Sequence, residues 1–191
     1  TKSEFVIFSD STKLVKYQQD KIKELRQNGF ENSYSFIESV KSDTLTMWII
    51  EGNKYFFDIK KITYADSTSL PLSKKLEGAF RSKTSYINLQ NCIENSLTYY
   101  ENSGYPFAAI SYDSVAFSDH FSGTLIIRQN KKYLFDSIVI KGDAKISESF
   151  LRQFYKLNRN TPYSEKKLKQ IEKLTKQIPF LSMAQNPEVL F

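Results

Sequence analysis

Two stretches of this chain carry the same phrase 78 residues apart: Lys54-Tyr55-Phe56-Phe57-Asp58 and Lys132-Tyr133-Leu134-Phe135-Asp136. Each copy follows an apolar, β-branched run, Thr46-Met47-Trp48-Ile49-Ile50 in the first case and Thr124-Leu125-Ile126-Ile127 in the second, and precedes an isoleucine, Ile62 or Ile140. Solenoid repeats run at about 20–50 residues, so a longer period describes a small domain used in series. The chain must therefore fold as an array of similar units. Function is sought first in what such an array does, and only then in single residues.

Composition sets outer limits. With 191 residues, 40% apolar and 25% charged, the chain has a soluble, globular balance and room for one ordinary domain or two to three small ones. The repeat favours the small ones. No stretch approaches the roughly 18 consecutive apolar residues that span a bilayer, and Thr1-Lys2-Ser3-Glu4-Phe5 lacks a signal-peptide pattern. The chain thus reads either as cytoplasmic or as a mature or excised piece. The single cysteine, Cys92, forms no intramolecular disulfide; set with Leu89, Ile93 and Leu97 at helical spacing, it reads as a buried small hydrophobe. The net charge of +6 points to acidic partners, but the cations are spread along the chain, so a solvated basic surface comes first, anionic lipid or acidic protein second and nucleic acid last.

Along the chain, Glu4 to Phe8 reads as a short strand, and Ser9-Asp10-Ser11-Thr12 supplies N-cap residues for a helix from Lys13 to Gln27 that stops at Asn28-Gly29. Strands are expected at Ser33 to Val40 and Leu45 to Glu51, with Lys41-Ser42-Asp43 as the turn. The middle stretch adds a strand from Tyr55 to Tyr64, a short helix from Ser73 to Phe80 after Leu70-Pro71-Leu72 and a longer helix from Asn88 to Asn102 ended by Ser103-Gly104. Strands then follow at Phe107 to Val115 and Gly123 to Arg128. The last stretch opens with a strand from Tyr133 to Lys141, then helices from Ser147 to Tyr155 and from Ser164 to Gln177. Ile146-Ser147-Leu151 and Tyr163-Ser164-Leu168 both have the layout of an N-cap with a hydrophobic staple, which makes these the firmest boundaries. Pro187 to Phe191 begins a further strand whose hairpin partner is missing, so the chain is expected to be a fragment ending in mid-unit.

The expected organisation is thus α+β, in tandem units at residues 1–52, 53–130 and 131–191, each burying amphipathic helices on one face of a small sheet. A domain of about 75 residues buries only about 60% of its unfolded surface, so such units benefit from packing on a neighbour. Gly52-Asn53 and Gln129-Asn130 leave almost no linker between them.

The order strand, helix, helix, strand, strand, together with Asn102-Ser103-Gly104-Tyr105-Pro106-Phe107-Ala108, the Lys-Tyr-x-Phe-Asp element and Ile138-Val139-Ile140-Lys141-Gly142-Asp143, resembles the polypeptide-transport-associated (POTRA) domains of the BamA/TamA superfamily. Lys145 to Leu151, Thr161-Pro162-Tyr163-Ser164 with Leu168 and Ile171, and Ile178-Pro179-Phe180 extend the likeness. It covers nearly all of residues 10 to 191, is strongest from Asn102 to Phe180, and lacks the first helix of the first unit. The Gly104-to-Ala108 motif is similar to forms found in Bacteroidota.

The resemblance implies β-α-α-β-β domains with two helices on a three-stranded mixed sheet. It also implies a periplasmic location in a Gram-negative cell, tethered to the outer membrane ahead of a C-terminal β-barrel that this chain does not contain. Expected partners are unfolded outer-membrane protein clients, periplasmic subunits of the assembly machine and the chain's own barrel, with contact to the membrane surface and none to nucleic acid. The alternative is a POTRA-type binding domain of a two-partner secretion transporter or a cell-division protein.

An open sheet edge accepts an extended client through main-chain hydrogen bonds, with little regard for sequence. In the domains this chain resembles, the strand after the long helix is commonly that edge. Such β-augmentation is therefore expected at Ser35, Phe36, Ile37, Glu38 and Ser39 and at Ala109, Ile110, Ser111, Tyr112 and Asp113. Glu38, Lys41 and Asp113 are the charges that would blunt these edges instead. Tyr55, Phe57, Asp58, Tyr133, Phe135 and Asp136 of the repeated phrase are expected at the inter-domain joints.

Other chemistry finds no support in the pattern. His120, the only histidine, has Asp119 and Asp113 near in sequence but no second histidine for a metal site, and reads as a solvated turn residue. Lys166, Lys167, Lys169, Lys173 and Lys176, with Lys131 and Lys132, form a basic face suited to lipid headgroups or an acidic partner, or simply to solvent. Trp48 corresponds to Ile126 in the repeat and is expected in the core. No nucleophile, base and orienting group assemble into a catalytic set, and no metal or cofactor is expected.

Overall fold

Asp10 starts the first helix: its carboxylate accepts the Lys13 N–H at 2.9 Å, so Ser11 and Thr12 become first-turn residues of α1 (Ser11–Gln27) instead of its cap. The computed structural model describes residues 6–8, 10–42, 44–66, 69–81, 83–118, 120–179 and 181–191. After α1 come β1 (Tyr34–Lys41) and β2 (Thr44–Ile50), then β3 (Phe57–Tyr64), α2 (Lys74–Ala79), α3 (Tyr86–Glu101), β4 (Ala109–Phe117) and β5 (Phe121–Arg128), and finally α4 (Glu148–Tyr155) and α5 (Glu165–Thr175). The middle stretch thus presents the full order strand, helix, helix, strand, strand, and the chain is α+β.

The two sheets differ in size. Strands β1 and β2 form an antiparallel hairpin pairing Tyr34 with Ile50 and Phe36 with Trp48, with a register shift between Ile37 and Ser39 that leaves Glu38 as a bulge. Strands β3, β5 and β4 form the second sheet in that order. Its central strand β5 meets β4 across a three-residue link, which forces that pair antiparallel. The bonds from Phe121 N–H to Phe56 C=O and from Ala65 N–H to Ile127 C=O, both 2.9 Å, advance in the same sense along β3 and β5, so that pair is parallel and the sheet is mixed.

By compactness the chain divides in two. One unit comprises Thr1–Lys61, Lys75–Cys92 and Asp113–Thr124; the other comprises Ile62–Lys74, Ile93–Tyr112 and Leu125–Phe191. In the first, Phe80 and Leu89 are fully buried, and the Phe57 and Phe121 rings stack at 4.8 Å. In the second, Leu125, Ile127 and Tyr100 are fully buried. The loop leading to α2 is tied down there by buried Gln129, whose N–H donates to the Asp66 carboxylate at 2.7 Å and whose amide oxygen accepts the Leu70 N–H at 2.8 Å. Helices α4 and α5 of the same unit close over Leu151, Tyr155, Leu157 and Ile171, with Ile146, Phe135, Ile138 and Ile140 packed against them. Thr175 Oγ1 donates to the Ile171 carbonyl at 2.8 Å and so accepts the buried Tyr155 hydroxyl at 2.6 Å.

Both staple-type helix starts form as read: Ser147 accepts the Phe150 N–H at 3.2 Å and Ser164 the Lys167 N–H at 3.4 Å. Five expectations fail. Val6 to Phe8 form no strand, residues 4 and 5 of that segment lying outside the described residues. Tyr133 to Lys141 make only an isolated bridge, Leu134 to Pro162, and Pro187 to Phe191 make none; a strand exists only in a ladder, and the described residues 161–163 pair with 133–135 without extending into one. Trp48 is 38% exposed, because a hairpin of two strands leaves one face uncovered. His120 is not a solvated turn residue: its side chain is 19% exposed and its Nε2 lies 3.8 Å from the Asp58 carboxylate.

Candidate functional site

The expected client-binding residues fall on two terminal strands. β4 is an outer strand of the β3-β5-β4 sheet, and no strand pairs with its far side among the described residues. Ser114 sits at φ +53°, a left-handed conformation that kinks the strand and divides its edge. Ala109 to Asp113 form the regular part, with Tyr112 and Asp113 exposed and Ile110 and Ser111 half-buried. Val115 and Phe117 beyond the kink are 59% and 58% exposed. β1 likewise has β2 on one side and, among the described residues, no strand on the other. Ser35 faces α1, its Oγ accepting from Gln18 Nε2 at 2.7 Å, while Phe36 and Ile37 are exposed and Glu38 occupies the bulge.

The repeated phrase is built into the same local structure twice. In one unit Gly29, at φ +96°, ends α1, and its carbonyl accepts the Tyr55 N–H at 2.8 Å. In the other Gly104, at φ +101°, ends α3, and its carbonyl accepts the Tyr133 N–H at the same 2.8 Å. Lys54 lies 5.3 Å above the Phe30 ring and Lys132 lies 5.9 Å above the Tyr105 ring, contacts worth about 0.5–1 kcal/mol each at exposed sites. Two residues along the phrase, the Phe57 and Phe135 N–H groups donate at 2.8 Å to the carbonyls of Thr84 and Thr161, which precede α3 and α5. Each long helix is also tied to the end of the previous one. Asn88 Nδ2 donates to the Gln27 carbonyl at 3.3 Å, and Asn102 Oδ1 accepts from Ser164 Oγ at 2.7 Å and the Lys166 N–H at 2.9 Å.

Aromatic rings line both places. Tyr55 contacts Phe117 and Phe121 at 6.3 and 6.4 Å, and Phe57 contacts Tyr86 at 5.7 Å. Tyr133 contacts Phe107 at 5.5 Å and Phe191 at 5.0 Å, and Phe135 contacts Tyr163 at 5.8 Å. The phrase aspartates diverge. Asp58 is held below the usual carboxylate range mainly by its hydrogen bond to Lys60, at 2.5 Å, whereas Asp136 is exposed and its carbonyl accepts from Arg152. In the sequence Gly29 and Gly104 read only as helix stops and Thr161 only within a motif, while Thr84, Phe117 and Phe121 are not singled out, so none reads as a partner of the phrase. Their signal was a second spacing: Gly29 and Gly104 are 75 residues apart, against 78 for the phrase.

The remaining polar groups carry less. On α5, Glu165 and Glu172 pair with Lys169 and Lys176 at 3.5 and 2.7 Å, which leaves Lys166 and Lys173 on the exposed face. The Cys92 thiol is half-buried, its pKa pushed up by burial. Among the described residues no His, Cys, Asp and Glu group could hold a metal ion, and no helix is long and apolar enough to cross a membrane.

Solved structures similar to this chain are known. The POTRA3–5 segment of BamA from Haemophilus influenzae matches with a TM-score of 0.52 and 14% identity, over 90% of this chain and 71% of that one. POTRA1–3 of the periplasmic domain of Omp85 from Anabaena matches at a TM-score of 0.33 and 13% identity, over 82% and 68%. No family model and no curated protein sequence matches the chain. The likeness to the BamA segment is one of fold: this chain has the POTRA fold.

Proposed function

We propose that this chain is a periplasmic protein-interaction module of an outer-membrane protein assembly or translocation factor. Its units at 1–52, 53–130 and 131–191 form an array that binds client or partner polypeptides, by strand addition at the edges the first two carry. The observation that carries the reading is the outer position of β4, whose regular stretch Ala109 to Asp113 has no strand on its far side among the described residues. An added strand there makes about four or five main-chain hydrogen bonds, each worth about 0.5–1.5 kcal/mol net. Against the cost of association this gives weak, reversible capture, as a receptor for many sequences requires. β1 offers a second edge, from Ser35 to Ser39, interrupted by its bulge.

The test is site-specific photocrosslinking from Tyr112 and Phe36 to an unfolded outer-membrane β-barrel polypeptide, with Glu94 on the exposed face of α3 as control. Adducts at Tyr112 or Phe36 well above those at Glu94 are expected. Equal yields at all three positions refute binding through these edges.

A further inference from the structure

The backbone contacts of the two copies of the phrase match, but their surroundings differ at the residue three past each helix-ending glycine, and a cleft lies at one of the two. Counting from the glycine that ends each helix, Gly29-Phe30-Glu31-Asn32-Ser33 lines up with Gly104-Tyr105-Pro106-Phe107-Ala108. The Phe107 ring packs edge-on to Tyr133 at 5.5 Å and to Phe191 at 4.8 Å. Its counterpart is Asn32, which brings no ring. Where Asn32 stands there is a cleft of about 390 Å³, walled by Tyr55, Phe57, Tyr86, Phe117 and Phe121, with Glu31 and Asn32 completing the lining. All of these residues belong to one compact unit.

We infer that this cleft receives an aromatic side chain, phenylalanine or tyrosine, from an extended partner polypeptide. Three observations identify the occupant. First, the equivalent position beside Tyr133 is filled by a phenylalanine carried on a non-helical Tyr-Pro-Phe stretch of this same chain. Second, five aromatic walls offer the edge-on and offset contacts that favour another ring over an aliphatic chain. Third, the Asn32 amide at the cleft supplies a donor and an acceptor for the main chain on either side of that ring, and the Glu31 carboxylate, one oxygen of which already accepts the Tyr86 N–H at 3.2 Å, favours a neutral or cationic flank over an acidic one. Phe117 is also the last residue of β4, beyond the left-handed Ser114 that divides the edge of that strand. The inference rests on the polypeptide-binding reading above and deepens it by naming a residue class the partner must present.

The probe is the acetylated, amidated pentapeptide Tyr-Pro-Phe-Ala-Ala, the chain's own 105–109 sequence, against the same peptide with alanine or leucine in place of phenylalanine. Binding to the full chain is read from amide chemical shifts. Shifts confined to Tyr55, Phe57, Phe117 and Phe121 are expected, with the alanine peptide weaker by about tenfold. Asn32→Phe, which supplies the missing ring internally, should abolish them, and Asn32→Ala, which removes only the amide, should weaken them without abolishing them. Phe117→Ala, which removes a wall from an exposed strand end, should weaken binding without unfolding the chain and serves if Asn32→Phe does not fold. The inference is overturned if the alanine peptide binds equally, if the shifts fall elsewhere, or if neither Asn32→Phe nor Phe117→Ala reduces them. Crosslinking from Tyr112 separates this from the broader reading: capture there with no peptide in the cleft sinks the aromatic site alone, and failure of both sinks both.

Discussion

Gly29 is where the repeated phrase is most exposed to a one-atom perturbation. At φ +96°, a Cβ added there would meet the Tyr55 carbonyl oxygen at 2.6 Å, and that oxygen belongs to the residue whose N–H already bonds Gly29 at 2.8 Å. Neither atom can retreat without breaking the contact between the end of α1 and the phrase. For Gly29→Ala the left-handed backbone costs about 1–2 kcal/mol and the overlap about 1–3 kcal/mol, so about 2–5 kcal/mol in all. Gly52→Ala carries the backbone cost with only slight crowding, since at φ +75° its nearest contact is the Asn32 carbonyl at 3.3 Å; about 1–2 kcal/mol is expected. Gly78→Ala carries neither: it lies in α2 with nothing within 4 Å, and should stabilise by up to about 0.5–1 kcal/mol.

All three glycines and the single tryptophan, Trp48, lie in one compact unit, so urea unfolding followed by tryptophan fluorescence reads the series with one probe. The midpoints should fall in the order Gly78→Ala, wild type, Gly52→Ala, Gly29→Ala. In thermal unfolding the spacing is about 4–8 °C per kcal/mol for a domain of this size. If Gly29→Ala unfolds no earlier than Gly52→Ala, the phrase backbone does not bear on Gly29, and the account of the repeated joint is wrong.

Three further outcomes follow from the same geometry. Ser33 is 1% exposed and its Oγ has no hydrogen-bond partner among the described residues, and its counterpart is Ala108; Ser33→Ala should raise stability by about 1 kcal/mol, and a loss in urea unfolding would show that the hydroxyl is satisfied. Ser164 caps α5 and donates to Asn102, so Ser164→Ala should cost about 1–2 kcal/mol, and a double-mutant cycle with Asn102→Ala should show the two effects coupled. The Glu148 carboxyl is held below the usual carboxylate range by the Ile138 N–H at 3.1 Å and the Arg152 guanidinium at 2.8 Å. Its stabilising effect is therefore complete above the ordinary value of 4.5 and fades as pH falls through the lower folded-state value; Glu148→Gln should flatten the acid limb of stability against pH, and an unchanged limb contradicts the assignment.

Helix starts were the most legible features, because their chemistry is local. Ser147 and Ser164 cap where they were read, each bonding an N–H three residues on. α1 began earlier than expected only because Asp10 took the capping role within a cluster of four suitable residues. The order of elements through the middle stretch was equally readable, since Asn28-Gly29 and Ser103-Gly104 stop the helices before them and the strands alternate between such stops. The terminal position of β4 was expected from the family resemblance, but the kink at Ser114 carried no signal, serine being an ordinary strand residue by composition. The aromatic cleft was out of reach, because it depends on an asparagine standing where the sister sequence has a ring.

The repeat, the helix boundaries and the α+β class were therefore determined by the chain's own local chemistry: capping hydroxyls, left-handed glycines and hydrophobic periods act over a few residues and need no partner. Which β-prone segments become strands, and which apolar side chains are covered, was decided only in three dimensions. Trp48 and Ile126 stand at matching points of the repeat, yet Trp48 is 38% exposed on a two-stranded hairpin while Ile126 lies between fully buried Leu125 and Ile127 on the central strand of three. Tyr133 to Lys141 has the composition of a strand and forms none. A ladder and a covered face are properties of neighbours, and neighbours distant in sequence are supplied by the tertiary structure alone.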